Sequence, residues 1–187
     1  GLLLALLPLN MAKAQNWDAT YAATAEGGHR VGNPRAATRL ITFISYTCPH
    51  CYDFEMASDG PLRISYVQAG RVNLEVRPML RNPVDLALTL AAECGVEDKF
   101  FANHRAIVRA HPRFMAQVQL ATAAQQARWS SGAVSARMRA IAADIDLYTI
   151  MEPRGYTRVQ LDQCLSDEAR AQAIATRSQG DWGRFNI

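Results

Sequence analysis

Two runs of apolar and β-branched side chains in the first half of the chain predict two strands. The run over residues 38–46, TRLITFISY, has no helix breaker and a nearly continuous apolar centre, which is typical of a central strand buried on both faces. Over residues 72–79 apolar and polar positions alternate, which predicts a second strand with Asn73, Glu75 and Arg77 on its outer face.

The residues between these two runs predict a helix. Pro49 suits its first position, because proline loses no hydrogen bond there and its φ is already close to the helical value. The Gly60-Pro61 pair predicts a break or kink before the helix resumes through Leu62. Strand, helix and strand at this spacing form a βαβ unit, whose two strands run parallel.

Beyond Pro83 the pattern changes to alanine-rich amphipathic stretches that predict helices. Polar and glycine-containing segments at residues 130–132 and 153–155 separate them. The predicted helices cover residues 84–94, 98–110, 113–129, 134–151 and 158–179. Because no linker of low complexity precedes this block, we interpret it as a helical insertion packed on an α/β domain.

Composition narrows the class of protein. The 187 residues are 49% apolar with a mean hydropathy of -0.11, as expected for one globular domain, and wholesale disorder or a multi-pass membrane protein is excluded. The net charge of +3 is spread along the chain rather than gathered in a basic stripe. It gives no support to nucleic-acid binding.

The apolar run at residues 2–9, followed by Ala12-Lys13-Ala14, predicts the end of a secretory signal peptide. No initiator Met or basic segment precedes it, so residues 1–14 are interpreted as a remnant of the signal, with cleavage after Ala14. An apolar helix packed on the domain is the alternative. Export would place the protein in a compartment that permits disulfides.

The four cysteines form a close pair, Cys48 and Cys51, and a distant pair, Cys94 and Cys164. The close pair spans Cys-Pro-His-Cys where the first strand ends and the helix begins. There the first sulfur faces unpaired N–H groups and the positive end of the helix dipole, which stabilise a thiolate. His50 can add a second favourable interaction with this anion. We expect Cys48 to attack, with a strongly lowered pKa, and the less accessible Cys51 to resolve.

Residues 47–55, TCPHCYDFE, resemble the active-site segment of the DsbA-like thiol:disulfide oxidoreductases of the thioredoxin superfamily. Residues 27–34 and the helical block are also similar, so the resemblance covers roughly residues 17–187. It implies a thioredoxin-like α/β fold with a large helical insertion. It also implies a periplasmic enzyme without a cofactor that donates its disulfide to newly exported, unfolded polypeptides. A DsbB-type membrane partner would reoxidise it.

The family completes its active site with a cis-proline loop, whereas no proline follows Pro153 here. We therefore expect the chain to be truncated before the cis-proline strand. On this interpretation residues 15–82 form the N-terminal part of the thioredoxin-like domain, residues 83–180 the insertion, and residues 181–187 the start of the C-terminal part.

Other ionisable residues receive weaker assignments. In the family an acidic residue at the position of Glu55 lies near the inner cysteine and assists its proton transfer, and a solvated helix-face carboxylate is the alternative. His29, His104 and His111 are predicted to lie in loops or on helix surfaces, solvated or capping rather than catalytic.

Three functions remain open for the close cysteine pair. The leading hypothesis is a dithiol oxidase, which the Pro49-His50 dipeptide favours, and an isomerase or reductase of the same superfamily is the alternative. A copper- or zinc-binding thiol chaperone belongs to a different class. It would need further ligands, and no second Cys-x-x-Cys is present, so no metal is predicted.

Cys94 and Cys164 are predicted to form a structural disulfide, since export permits one and both fall in the helical insertion. Their Cα atoms would have to lie within ~7 Å. Two buried free thiols are the alternative.

Overall fold

The computed structural model describes residues 15–186, in which a mixed four-stranded sheet packs against a block of helices. The signal-peptide prediction for residues 1–14 lies outside the described residues. The strands are β1 (Tyr21–Ala23), β2 (His29–Gly32), β3 (Thr38–Ile44) and β4 (Val72–Pro78). The sheet order is β1-β2-β4-β3, with β3 and β4 parallel and the other pairs antiparallel.

Helices make up most of the rest of the described chain. They are α1 (Pro49–Leu62), α2 (Pro83–Ala92), α3 (Phe100–Arg109), α4 (His111–Leu120), α5 (Ala123–Ser130), α6 (Val134–Asp144), α7 (Leu147–Met151), α8 (Arg158–Leu165) and α9 (Glu168–Phe185). The α/β class with a helical insertion is therefore confirmed. Between residues 15 and 186, none of the helices combines the length and apolarity that crossing a membrane requires.

The predicted βαβ unit is present as β3, α1 and β4. Within the described residues, however, β3 pairs only with β4 and forms an edge of the sheet, where the sequence predicts a central strand. Of the break or kink predicted at Pro61, the break does not occur. Helix α1 continues through Pro61, and a π-helical turn, Arg63–Val67, follows it.

The polar side chains of β4 do not point to solvent, which corrects the predicted alternation. Asn73, Glu75 and Arg77 are all buried. Glu75 accepts hydrogen bonds from Arg77 Nε at 2.6 Å and from Arg39 Nε at 2.9 Å, and Arg77 donates to Asp181 of α9 at 3.1 Å. Charges can be buried here because each one has an opposite partner.

Helix α2 lies at the centre of the helical block. Its Leu88 and Leu90 are fully buried, and it packs against α3, α5, α6, α8 and α9. A disulfide joins Cys94, just beyond this helix, to Cys164 of α8, with 5.6 Å between their Cα atoms. The central helix is thereby tied covalently to the outer part of the block.

Three predicted helices are each divided in two, two of them at a side-chain cap and one at a left-handed residue. Thr122 caps α5 by accepting from the Gln125 N–H, and Asp167 caps α9 by accepting from the Arg170 N–H. Asp146, with φ of 61°, separates α6 from α7. Helix α9 runs to Phe185, beyond the predicted end of the last helix at residue 179.

Candidate active site

Parallel pairing of β3 and β4 brings their carboxyl ends to the same edge of the sheet, and the cysteine pair lies at this edge. A turn follows β3, in which the Cys48 N–H donates to the Ser45 carbonyl at 3.1 Å. The Cys48 carbonyl then accepts from the Tyr52 N–H at 3.1 Å, so Cys48 is the residue that caps α1. The sulfur is thus held at the start of the helix, as the sequence predicts.

Cys48 and Cys51 are both free, half-buried thiols. They open into a cavity of about 320 Å³, which is lined by Phe43, Ser45, Cys48, Cys51, Met79, Arg81 and Trp182. Pro49 and His50 are exposed between them. A thiol or disulfide from outside can therefore reach the cysteine pair.

The pKa of Cys48 is lowered. Burial opposes ionisation of this thiol. Its effect is outweighed by the N–H groups of Cys51 and His50, the Cys51 side chain and the positive charge of Arg81. His50 acts here through its backbone N–H, whereas the nearby cationic side chain is Arg81. The helix start therefore favours the Cys48 thiolate.

The pKa of Cys51 is raised to about 11. Burial is the main cause, and the charges of Cys48 and Asp85 add to it, while the Ser45 N–H acts in the opposite direction. The Cys51 sulfur also lies 4.0 Å from the Phe43 carbonyl oxygen, which accepts its weak hydrogen bond. The Cys48 thiol thus ionises before the Cys51 thiol, which stays protonated at neutral pH.

Asp85 is a fully buried carboxylate in the first turn of α2, behind the cysteines. It accepts hydrogen bonds of 2.9 Å each from the Ser45 hydroxyl, the Thr47 N–H and the Arg81 N–H. Burial raises the pKa of Asp85, and these donors oppose the shift. The turn that precedes Cys48 is therefore tied to the first turn of α2.

Glu55 is buried, one helical turn beyond Cys51, and so is not a solvated helix-face carboxylate. Its Oε2 lies 3.1 Å from His104 Nε2, and His104 Nδ1 lies 2.9 Å from the Tyr46 hydroxyl. Because an ionised carboxylate only accepts, Nε2 carries a proton, and in the neutral imidazole Nδ1 then accepts from the Tyr46 hydroxyl. This network fixes the side chain of Tyr46, two residues before Cys48.

The three remaining histidines are not in solvated positions, which corrects the prediction for them. His104 and His111 are buried, at 2% and 8% exposure. His111 stacks on Tyr52, and burial lowers its pKa. His29 is half-buried in β2, where it stacks on Phe100 and contacts Glu93. Aromatic and carboxylate partners from distant segments account for this burial.

Metal ligation has little geometric support at the cysteine pair. Within residues 15–186 no three His, Cys, Asp or Glu side chains gather in a way that could hold a metal ion. Cys94, a possible additional ligand, is bonded to Cys164.

Sequence reasoning missed Asp85, Arg81 and Ser45 as members of the site. A signal for Asp85 was present, because Asn82-Pro83 is a typical helix start that directly follows a predicted strand. Two parallel strands of a βαβ unit place their following turns side by side, so this helix start had to lie near Cys48.

The thioredoxin family model matches residues 24–187 of this chain. In the crystal structure of a protein-disulfide isomerase from Novosphingobium aromaticivorans, 40% of aligned residues are identical, with a TM-score of 0.82. The match covers 86% of this chain and 82% of that one. Alpha-DsbA1 of Wolbachia pipientis has the same fold, with a TM-score of 0.68 at 15% identity over 88% of this chain and 72% of that one.

A curated Rickettsia bellii protein, provisionally named a protein-disulfide oxidoreductase, is 24% identical over 145 residues. The alignment covers 77% of this chain and 47% of that protein. The chain thus spans about half the length of the curated relatives it matches.

Proposed function

Since this chain belongs to the thioredoxin family, we propose that Cys48 and Cys51 are the redox-active pair of a DsbA-like thiol:disulfide oxidoreductase. The observation behind this proposal is the place of Cys48 at the exposed start of α1, with Cys51 one turn deeper, which gives the two thiols different environments. The pKa of Cys48 is lowered there, and burial raises that of Cys51 to about 11. An inert pair needs no such difference. A nucleophile and its resolving partner do, because only a thiolate attacks a sulfur.

The oxidised protein would act as follows. A substrate thiolate attacks Sγ of Cys48, forms a mixed disulfide and releases Cys51 as a thiolate, which takes up a proton. A second substrate thiolate then attacks the substrate sulfur of this mixed disulfide and releases Cys48 as a thiolate. The substrate gains one disulfide and loses two electrons, which the Cys48–Cys51 pair accepts.

The environment of Cys48 favours this direction of transfer. A stabilised Cys48 thiolate is a good leaving group in the second step, and its stability favours the reduced form of the protein. The disulfide is therefore expected to be oxidising. Pro49 and His50 contribute the helix start and an N–H group, and Arg81 contributes positive charge.

Glu55 and the second disulfide have supporting roles in this proposal. Glu55 is expected to assist proton transfer at Cys51 across one helical turn, although its carboxylate also binds His104. The Cys94–Cys164 disulfide would stabilise the helical block and take no part in exchange, since Cys94 is buried beyond the far end of α2.

The substrates, partner and location that we propose are newly exported polypeptides, a DsbB-type membrane reoxidase and the periplasm. They are supported by the signal-like pattern of residues 2–14 and by the resemblance of the active-site segment to DsbA-like proteins. The pair itself would need no other cofactor.

A second candidate is an isomerase or reductase, which the name of the 40% identical Novosphingobium structure favours. The two candidates differ in reduction potential. Strong oxidants lie near about -120 mV and disulfide isomerases near about -180 mV, a gap of ~60 mV. Equilibration of the protein with glutathione buffers measures this quantity directly.

The function is tested by mixing the oxidised protein with a reduced, unfolded protein that contains disulfides in its native state. We expect disulfides to appear in the substrate while Cys48–Cys51 becomes reduced. Cys48→Ala should abolish the transfer. Cys51→Ala, with Cys48 activated as a mixed disulfide with a small thiol, should pass that disulfide to a single substrate thiol and then stop.

The Cys94→Ala/Cys164→Ala variant is the matched control, because it removes the other two cysteines and should retain transfer. Absence of transfer by the wild-type protein would overturn the oxidase proposal. Binding of Cu(I) to the reduced protein much more tightly than to a simple dithiol would favour the thiol chaperone instead.

A further inference from the structure

Asp85 has no place in the exchange steps, yet it contacts the turn before Cys48 and the loop that carries Arg81. Its side chain is fully buried, at 0% exposure. Oδ2 accepts from the Ser45 hydroxyl and from the Arg81 N–H, and Oδ1 accepts from the Thr47 N–H. A buried carboxylate with three donors is costly to desolvate, so these contacts have to be well formed.

Each of these donors belongs to a residue that acts on a sulfur or directly precedes Cys48. Ser45 presents its own N–H to Cys51, and its carbonyl accepts from the Cys48 N–H. Thr47 immediately precedes Cys48 and leads into the first turn of α1. Arg81 supplies the positive charge beside Cys48. The Asp85 carboxylate thus connects the end of β3, the turn before Cys48 and the loop after β4.

Resting on the proposed exchange function, we propose that Asp85 is a positioning residue of the reaction. It fixes the Ser45–Thr47 turn, and with it the Cys48 sulfur, against the start of α1 and beside Arg81. It does not touch the substrate or the sulfurs. Its own position is set by the Asn82 side chain, which accepts from the Val84 and Asp85 N–H groups and caps α2.

Positioning and charge have opposite consequences at Cys48, which makes the proposal testable. Removal of a nearby negative charge alone would lower the pKa of a thiol. Loss of positioning would raise the Cys48 pKa, because its sulfur would lose alignment with the Cys51 and His50 N–H groups and with Arg81. A rise therefore separates a positioning role from a purely electrostatic one.

The experiment uses Asp85→Asn, which keeps the size of the side chain but places an amide N–H against the donors. It is introduced into a Cys51→Ala background, in which Cys48 is the one free thiol because Cys94 and Cys164 are bonded together. The thiolate of Cys48 is followed by its ultraviolet absorbance as the pH is varied. We expect the midpoint to rise by about one unit, the size of one lost charge-assisted hydrogen bond.

Glu93→Gln in the same background is the matched control. Glu93 is also a buried carboxylate, located at the opposite end of α2, where it contacts His29 and Arg177. The control should leave the Cys48 midpoint unchanged even if it destabilises the fold. If Asp85→Asn fails to fold, Ser45→Ala is used instead. It removes the hydrogen bond from the Ser45 hydroxyl but keeps the Asp85 charge, and it should raise the Cys48 midpoint by a smaller amount.

An unchanged or lowered Cys48 midpoint in the folded Asp85→Asn variant would overturn the proposal. If that variant does not fold, an unchanged midpoint in Ser45→Ala would overturn it. This titration needs no substrate. A failure of the wild-type protein to transfer disulfides would therefore count against the proposed function while leaving the comparison of midpoints valid.

Discussion

His104 Nε2 lies 3.1 Å from a carboxylate oxygen of Glu55, and this contact links α3 to the helix that begins at the cysteine pair. The same imidazole accepts from the Tyr46 hydroxyl, so one ring joins α1, α3 and the turn before Cys48. Burial of all three side chains means that water cannot replace a lost partner. The active-site helix is thus secured one turn behind its reactive end.

We expect His104→Ala to lower the free energy of unfolding by on the order of 3 kcal/mol, because the Glu55 carboxylate and the Tyr46 hydroxyl would remain buried without a partner. Glu55→Gln keeps an acceptor for His104 and should cost less. Urea unfolding of the oxidised proteins measures both effects.

The proton-transfer role of Glu55 predicts a further effect of Glu55→Gln. Resolution of a mixed disulfide on Cys48 by Cys51 should slow, since the Cys51 proton would lose its acceptor. The rate is followed by release of a small thiol from Cys48 at neutral pH. An unchanged rate would leave Glu55 with the structural role alone.

Arg81 is predicted to contribute to the Cys48 thiolate by charge. Arg81→Gln in the Cys51→Ala background should raise the Cys48 pKa, by less than about one unit because the guanidinium is exposed and screened. The difference from the parent should shrink at high salt. Arg113→Gln, which removes an exposed arginine paired with Asp146, is the control and should have no effect. A salt-independent shift would contradict a Coulombic cause.

The Cys94–Cys164 disulfide, which joins positions 70 residues apart, should stabilise the fold without affecting exchange. From the loop entropy of the unfolded chain, Cys94→Ala/Cys164→Ala should lose up to about 4 kcal/mol of unfolding free energy. The Cys48→Ala/Cys51→Ala variant treated with a strong reductant should lose a similar amount, because Cys94–Cys164 is the disulfide that the reductant opens in it. If the reduction potential of Cys48–Cys51 differed between the Cys94→Ala/Cys164→Ala variant and the wild-type protein, the two cysteine pairs would be coupled.

Local signals in the sequence were sufficient for β3, β4 and the start of α1. Breaker-free β-branched runs and a proline at a helix start act over a few residues, and the same is true of the Cys-x-x-Cys spacing that identified the site. Strands β1 and β2 were missed, because three and four residues are too few to establish a period.

Burial that depends on distant partners could not be predicted in this way. Arg77 is buried between Glu75 and Asp181, the second of which is 104 positions away, and His104 is buried because Glu55, 49 positions away, binds it. Hydrophobic periodicity assigns such residues to the surface, because it depends on the polarity of each side chain and not on the partner that the side chain binds. Periodicity also misses Asp85, whose place near Cys48 is indicated instead by the Asn82-Pro83 helix start.

The two cysteines are expected to affect stability in opposite pH ranges. Cys48, with a lowered folded-state pKa, contributes stability that is full above the unfolded value near 9.0 and is lost as the pH falls through the folded value. Cys51, with a pKa raised from 9.0 to about 11, favours the protonated fold, so the fold loses stability as the pH rises from 9.0 to about 11.

Single variants separate these effects without a reductant that would open Cys94–Cys164. Relative to the Cys48→Ala/Cys51→Ala double variant, Cys51→Ala should gain unfolding free energy as the pH rises toward 9.0, because it retains only Cys48. The unfolding free energy of Cys48→Ala should fall as the pH rises above 9.0, by on the order of 2 kcal/mol. The loss should fall short of the full shift, since the Cys48 charge that helps to raise the Cys51 pKa is absent in this variant, whereas burial, the main cause, remains. If Cys48→Ala kept a constant stability difference across this range, burial would not be raising the Cys51 pKa, and the asymmetry on which the exchange mechanism rests would have to come from Cys48 alone.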